Sequence, residues 1–339
     1  MSGVQQRLFR HLPHGRLQVD HDLKNIAAFD DDISDIDTDY PQRSVSMMIG
    51  GPPGGGIDIL ARRLSVAMAA VLGQRVAIDY RLGASGNLAA MAVAQAKPDG
   101  YTILLGTRSA TLHRTMYPHL QYDFKRDLTP VAMVARMPVG IVIGHRLAAR
   151  TLREVIQIAR DNPGRLNAAT LGVGTTNHLV SVLLQDAAGI RFQHIPYMEM
   201  SRALTDVVSG KMDLLFTQLA GGISHMNAGS LRAVAVTSNG RVSSLPDVPT
   251  IAEEGFPEIS ADDWFVLLAP RDTHPAVIAK LNLVVSQLFA DEELHEAMTT
   301  MGYVLPSSPY TPDGLRRALA SDNARWTSVL RNYQVNGFQ

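Results

Sequence analysis

Pro52-Pro53-Gly54-Gly55-Gly56-Ile57-Asp58 stands where a short apolar run over 44–49 hands over to a helix-length amphipathic stretch over 58–72. The three glycines allow a tight turn and leave several backbone N–H groups uncovered, pointing the way the start of the helix points. Free donors at the positive end of a helix dipole attract anions. Asp58 suits that dipole too, either as a helix-start residue or as a ligand contact. No Lys-Ser/Thr pair follows the glycines and the G-x-G-x-x-G spacing is not met, so the loop is not a nucleotide-triphosphate cradle.

Outward from this junction the alternation repeats. Residues 75–79 read as a strand, 86–96 as a helix closed by the turn Lys97-Pro98-Asp99-Gly100, and 101–106 as a strand. Further strands are expected over 139–143, 168–171, 192–195, 231–237 and 264–269, and helices over 152–161, 178–188, 201–209 and 275–290. Strands alternating with helices across short Gly-rich turns predict an α/β protein with parallel sheets flanked by helices. A length of 339 residues suggests about two such units. No internal repeat of fixed period is visible.

Two further loops lie at strand-to-helix junctions: Arg81-Leu82-Gly83-Ala84-Ser85-Gly86-Asn87 and Gly172-Val173-Gly174-Thr175-Thr176-Asn177-His178. Thr175, Thr176 and Asn177 can cap the helix or hydrogen-bond a ligand above it. Donor-rich helix starts at the carboxyl ends of strands are where open α/β sheets bind ligands.

Composition removes several classes. An apolar share of 46% and a charged share of 19% exclude wholesale disorder. The 31 basic and 32 acidic residues nearly cancel, giving no field for nucleic acid or an anionic membrane. Cysteine is absent, which excludes thiol catalysis, disulfides and Cys-based metal sites. Ser85 lies in Gly-Ala-Ser-Gly rather than a nucleophile elbow, and no H-E-x-x-H occurs. Glu253-Glu254 and Asp262-Asp263 are adjacent carboxylates whose side chains diverge, so no acid/base pair, metal or cofactor is expected. No run approaches the roughly 20 apolar residues of a membrane-spanning helix.

Residues 1–43 differ from the rest: five basic and eight acidic residues leave them at −3 and the remainder at +2. The aspartates between Asp30 and Asp39 lack the glycine and glutamate of a calcium loop, and the stretch is expected to be a flexible acidic tail. Polar and charged residues from His11 to Lys24 interrupt any apolar core, so no export signal is expected there.

Six segments, in order, resemble the substrate-binding proteins of tripartite tricarboxylate transporters, the Bug family. They begin at Pro53-Gly54-Gly55-Gly56-Ile57-Asp58-Ile59-Leu60-Ala61-Arg62, Lys97-Pro98-Asp99-Gly100, Asp127-Leu128-Thr129-Pro130, His194-Ile195-Pro196-Tyr197, Leu231-Arg232-Ala233-Val234 and Leu245-Pro246-Asp247-Val248-Pro249-Thr250. Trp264-Phe265 and Leu268-Ala269-Pro270 complete the set, and the resemblance runs from about Tyr40 onward. It implies a two-lobed, type II periplasmic-binding-protein-like fold, each lobe a mainly parallel sheet, closing on a ligand by hinge motion. Lobe one is expected at 44–141 plus 264–339 and lobe two at 142–263.

The resemblance further implies non-catalytic capture of a small organic acid, its carboxylate held by backbone amides of the first glycine loop and the loop over 172–178. The expected ligand-binding set is Gly54, Gly55, Gly56, Asp58, Ser85, Asn87, Thr107, Arg108, Thr175, Thr176, Asn177, Tyr197 and Thr217. Arg108 either adds a cation or is structural. Four or five hydrogen bonds to a charged group, about 1.5–3 kcal/mol each, reach the roughly −8 kcal/mol of a micromolar complex after ordering costs. Expected partners are the small-molecule carboxylate and, if the chain is exported to the periplasm, the transporter's membrane permease subunits; no nucleic acid is expected, and the protein is expected to be a monomer.

Three departures bear on the ligand. Gly50-Gly51-Pro52 replaces the usual Pro-Phe-Ala, which suggests a wider pocket; Tyr197-Met198-Glu199-Met200 replaces Tyr-Lys-Gly-Ser; Phe216-Thr217-Gln218 replaces Phe-Asp-Asn. An aromatic acid, an amide or a cationic solute therefore stays open beside a dicarboxylate. The competing reading is a cytosolic ligand sensor or enzyme on the same two-lobed architecture.

Overall fold

The computed structural model describes residues 39–306 and 311–332. β1 (Val45–Ile49) buries Val45, Met47 and Ile49 completely, and α1 (Gly56–Leu72) lays Ile57, Leu60, Ala61, Leu64 and Met68 against the same core at helical spacing. β2 (Val76–Tyr80), α2 (Asn87–Ala94) and β3 (Thr102–Gly106) continue the alternation. Three short helices, α3 (Arg108–Thr111), α4 (His113–Met116) and α5 (Phe124–Asp127), lead into β4 (Leu128–Met137). That ten-residue strand, missing from the sequence reading, carries Pro130 and lies at a sheet edge, where a missing N–H costs no ladder bond on its open side.

Pro138 alone separates β4 from β5 (Val139–Ile143). Then follow α6 (Leu152–Asp161), β6 (Asn167–Thr170), α7 (Thr176–Ala188), β7 (Gln193–Pro196), α8 (Met200–Val208), β8 (Leu214–Gln218), α9 (Leu219–Asn227) and β9 (Arg232–Val236). α6 opens on a capping box: the Thr151 hydroxyl accepts from the Glu154 N–H while the Glu154 carboxylate accepts from the Thr151 N–H. β10 (Asp263–Pro270), α10 (Pro275–Phe289), α11 (Glu292–Thr300) and α12 (Pro312–Asn332) complete the chain.

Two five-stranded sheets result, in the orders β2-β1-β3-β10-β4 and β7-β6-β8-β5-β9. In each, four strands run one way and one runs against them: β10 is antiparallel to β3 and β4, and β5 to β8 and β9. The reversed strand is the one arriving from the other sheet, so it needs no covering crossover helix of its own. Every residue of β5, β8 and β10 is buried, as expected of central strands covered on both faces.

The sheets are joined by two crossings held side by side. The Thr237 hydroxyl accepts from the Val139 N–H at 2.9 Å and donates to the Ala261 carbonyl at 3.2 Å, tying the β4–β5 crossing to the β9–β10 crossing. Because β5 pairs only with second-sheet strands, the chain leaves the first sheet at Pro138, three residues before the expected boundary at 141. Residues 1–38 of the expected acidic tail lie outside the described residues. Residues 39–43, assigned to the same tail, are instead seated on the turn before β3: the Tyr40 hydroxyl donates to the Gly100 carbonyl at 2.7 Å, and Arg43 pairs with Asp99 while covering the Tyr101 ring.

Candidate functional site

Loops at the carboxyl ends of strands from both sheets converge on a cavity of ≈ 90 Å³. At roughly 10–15 Å³ per water centre, that is room for about six to nine waters, or a ligand with a similar number of heavy atoms. The β1–α1 loop contributes Gly50 to Pro52, Gly55 and Ile57; the β2–α2 loop Ser85 and Gly86; the end of β3 and the residues after it Leu104 to Thr107, Ser109 and Ala110; the β6–α7 loop Leu171, Thr175 and Asn177. Gln218, closing β8, and Asp263, opening β10, complete the lining.

Close backbone approach builds these walls. A methyl group on Gly50 would lie 2.2 Å from the Gly86 Cα, and one on Gly51 would lie 2.2 Å from an Ile57 methyl. The Cβ positions that Gly50 and Gly51 lack are therefore occupied by the neighbouring loop and by Ile57. A methyl on Gly56 would lie 2.4 Å from Gln218 Oε1, so the start of α1 touches the end of β8 across the cleft. Further bonds span the sheets: the Ser85 hydroxyl donates to the Val173 carbonyl at 2.7 Å, and Gln218 Nε2 donates to Asp263 Oδ2 at 2.7 Å. Ser85 reaches across from a left-handed backbone conformation, φ +53°, an uncommon state for a residue with a side chain.

Of the thirteen residues expected at the site, Gly55, Ser85, Thr107, Thr175 and Asn177 line the cavity. α1 has no side-chain cap at Gly55, so its first-turn N–H groups keep their capacity to bind an anion. Thr175 caps α7 at the His178 N–H and donates to the Gly172 carbonyl.

The other eight are engaged within the chain. Asp58 accepts from the Gly54 N–H at 2.8 Å, the Tyr80 hydroxyl at 2.5 Å and Arg62 at 3.0 Å. Burial works to raise its carboxyl, but those hydrogen bonds outweigh it and hold it below the usual carboxylate range. Gly54 thus spends its N–H on Asp58, and Gly56 packs on Gln218. Asn87 bridges the Ala84 carbonyl and the Tyr122 hydroxyl, Tyr197 donates to Asp206 at 2.7 Å, and Thr217 is fully buried, donating to the Gln218 carbonyl. Thr176 accepts from Arg108 at 3.0 Å.

Arg108 is the centre of a buried cluster beside the cavity. Its guanidinium, 4% exposed, pairs with Asp322 of α12 at 2.9 Å, donates to the Asp262 carbonyl at 2.5 Å and stacks on the Trp326 ring. Asp263 stands 4.0 Å away, also accepting from the Trp264 N–H. Burial raises the Asp263 carboxyl against the pull of Arg108, and burial pushes Asp262 up to about 6. Among the polar side chains lining the cavity, Ser109, Gln218 and Asp263 were missed by sequence reasoning. The signal for Asp263 was a carboxylate opening a strand that is otherwise wholly apolar to Ala269. Among the described residues, no group of His, Asp or Glu is placed to hold a metal ion and no helix is long and apolar enough to cross a membrane.

Two α/β lobes, joined by paired crossings and meeting over one small cavity, define a hinged, two-lobed binding protein of the periplasmic-binding-protein type. The profile of the tripartite tricarboxylate transporter family receptor matches residues 60–333, and the chain belongs to that family, whose members are binding receptors rather than enzymes. It is 33% identical over 296 residues to Protein BugT of Bordetella pertussis, covering 86% of this chain and 90% of that protein. Its structure is similar to that of R. palustris Rpa4515 with adipate, at TM-score 0.83 and 30% identity over 88% of this chain and all of that one. MatC (Rpa3494) from Rhodopseudomonas palustris with bound malate is similar at TM-score 0.79 and 29% identity, over 86% of this chain and all of that one.

Proposed function

We propose that the protein captures a small organic carboxylate between its lobes and delivers it, from the periplasm, to the membrane permease of a tripartite tricarboxylate-type transporter. The observation that carries this reading is the cavity itself: ≈ 90 Å³, walled by Gly55 and Ile57 at the start of α1 and by Thr175 and Asn177 at the start of α7. Two helix starts facing one small space offer backbone donors to a carboxylate without any arginine. The malate of the similar MatC structure is of a size with this cavity.

In this reading Gly55, Ile57, Thr107, Thr175 and Asn177 meet the ligand, Ser85 latches one lobe to the other, and Asp58, Asn87, Arg108 and Thr176 hold the walls. Lobe one comprises the first sheet with α10 to α12, lobe two the second sheet with residues 237–261 packed on it, and the hinge lies at Pro138 and Asp262. Binding is tested by a thermal-shift series over mono-, di- and aromatic carboxylates and their amides, since a ligand stabilises the folded state by mass action. A raised midpoint with carboxylates is expected; a response confined to another class of solute overturns the reading. For location, mass spectrometry of the protein from its own cells is decisive: an intact Met1 or Ser2 N-terminus in the cytosolic fraction contradicts periplasmic capture.

A further inference from the structure

Resting on the carboxylate reading above, we infer that the ligand is an amino-carboxylate, whose carboxylate meets the start of α1 and whose ammonium meets Asp263 and Asn177. Among the described residues lining the cavity, Asp263 is the one charged side chain; no Lys, Arg or His lines it. The nearest guanidinium, Arg108, is already shared: 2.9 Å from Asp322, 4.0 Å from Asp263 and bonded to the Asp262 carbonyl. Asp322 therefore takes the guanidinium at close range, and the buried Asp263 carboxyl is left without a close cation beside the ligand space. A second carboxylate on the ligand would face this carboxyl in a low-dielectric site with no cation of its own, whereas an ammonium would supply the missing cation.

Asp263 retains acceptor capacity for such a group. Its Oδ2 accepts from Gln218, its Oδ1 from the Trp264 N–H, and the Thr176 hydroxyl bonds to it as well, which leaves one of about four lone-pair positions on an ionised carboxylate. An independent observation points the same way. Asn177, 3% exposed and on the cavity wall, has a buried Oδ1 with no hydrogen-bond partner, an acceptor that calls for a donor. The site thus pairs backbone donors at the start of α1 with two side-chain acceptors on the cavity wall.

Isothermal titration of the full chain, dialysed free of small molecules, tests this with matched pairs: 4-aminobutanoate against succinate, 5-aminopentanoate against glutarate, and 6-aminohexanoate against adipate. The amino-carboxylate of the fitting length is expected to bind about 10- to 100-fold tighter than its dicarboxylate. Asp263→Asn, with its unfolding midpoint checked, is expected to abolish that preference. Equal or tighter binding of the dicarboxylate overturns the amino-carboxylate assignment while leaving carboxylate capture standing. Binding by none of the six overturns the amino-carboxylate assignment, and the thermal-shift series then decides carboxylate capture. A preference undiminished in folded Asp263→Asn overturns the role of Asp263.

Discussion

Gly56→Ala tests whether closure of the two lobes depends on the contact between α1 and β8. The added methyl would lie 2.4 Å from Gln218 Oε1, 3.2 Å from its Cδ and 3.3 Å from its Cβ. A relaxed carbon–oxygen contact needs about 3.3 Å or more, so roughly 1 Å must be found. Either Gln218 swings away from Asp263, breaking a 2.7 Å hydrogen bond to a buried carboxylate, or the lobes stay apart. A hydrogen bond to a charged group is worth about 1.5–3 kcal/mol, so affinity for the tightest-binding carboxylate should fall about 10- to 150-fold. The open form pays nothing, since alanine suits a helix better than glycine by up to about 1 kcal/mol. The ligand-free unfolding midpoint should therefore be unchanged or raised. Isothermal titration beside thermal unfolding reads both quantities, and Gln218→Ala should weaken the effect of Gly56→Ala in a double-mutant cycle. Unchanged affinity in Gly56→Ala would refute the reasoning.

Other expected outcomes follow from the same geometry. Gly55→Val, at an ordinary extended φ of −76° but with its Cβ 3.2 Å from the Pro52 carbonyl oxygen, should keep the fold while displacing the glycine loop that walls the cavity and so abolish binding; wild-type affinity would remove the first glycine loop from the site. Arg108→Met strands the Asp263 and Asp322 carboxylates and should cost about 3–5 kcal/mol of stability by denaturant titration. Arg108→Lys should recover only part, because one ammonium cannot reach Asp322, Thr176 and the Asp262 carbonyl together. His178 is held down to about 4 by burial and by His194 beside it, so it stays neutral while the unfolded chain takes up its proton near 6.5. Its contribution is complete above pH 6.5 and is lost as pH falls toward 4, up to about 3 kcal/mol. Urea midpoints across that range should fall more steeply in the wild type than in His178→Gln, and parallel curves would contradict this.

The glycine loop at 52–58 was legible because it marks a change of period, from alternate burial in β1 to helical spacing in α1, and that change is local. β5 and α6 were legible because each is a short periodic run bounded by local turns. β4 was not, since Pro130 argues against a strand unless its edge position is known. β8 and α9 run together from Leu214 to Asn227 with no turn between them, leaving nothing to divide.

At the site, the backbone donors and Asn177 were readable, and the Gln218–Asp263 pair was not. Backbone N–H groups follow from loop position, whereas the Gln218–Asp263 pair joins residues 45 apart that meet only because the end of β8 lies beside the start of β10 beneath the cleft. Arg108 could not be assigned for a similar reason. Its partner Asp322 lies 214 residues away on α12, so the spacing gave no sign that its charge was already engaged.

The most direct measurement is a crystal structure of the full chain grown with the carboxylate that binds most tightly. Carboxylate oxygens are expected in the cleft, within about 3 Å of N–H groups at the start of α1 and in contact with the β6–α7 loop of the other lobe. A ligand seated outside the cleft, or held in it by side-chain cations with the two glycine-rich loops apart, would contradict capture by backbone donors.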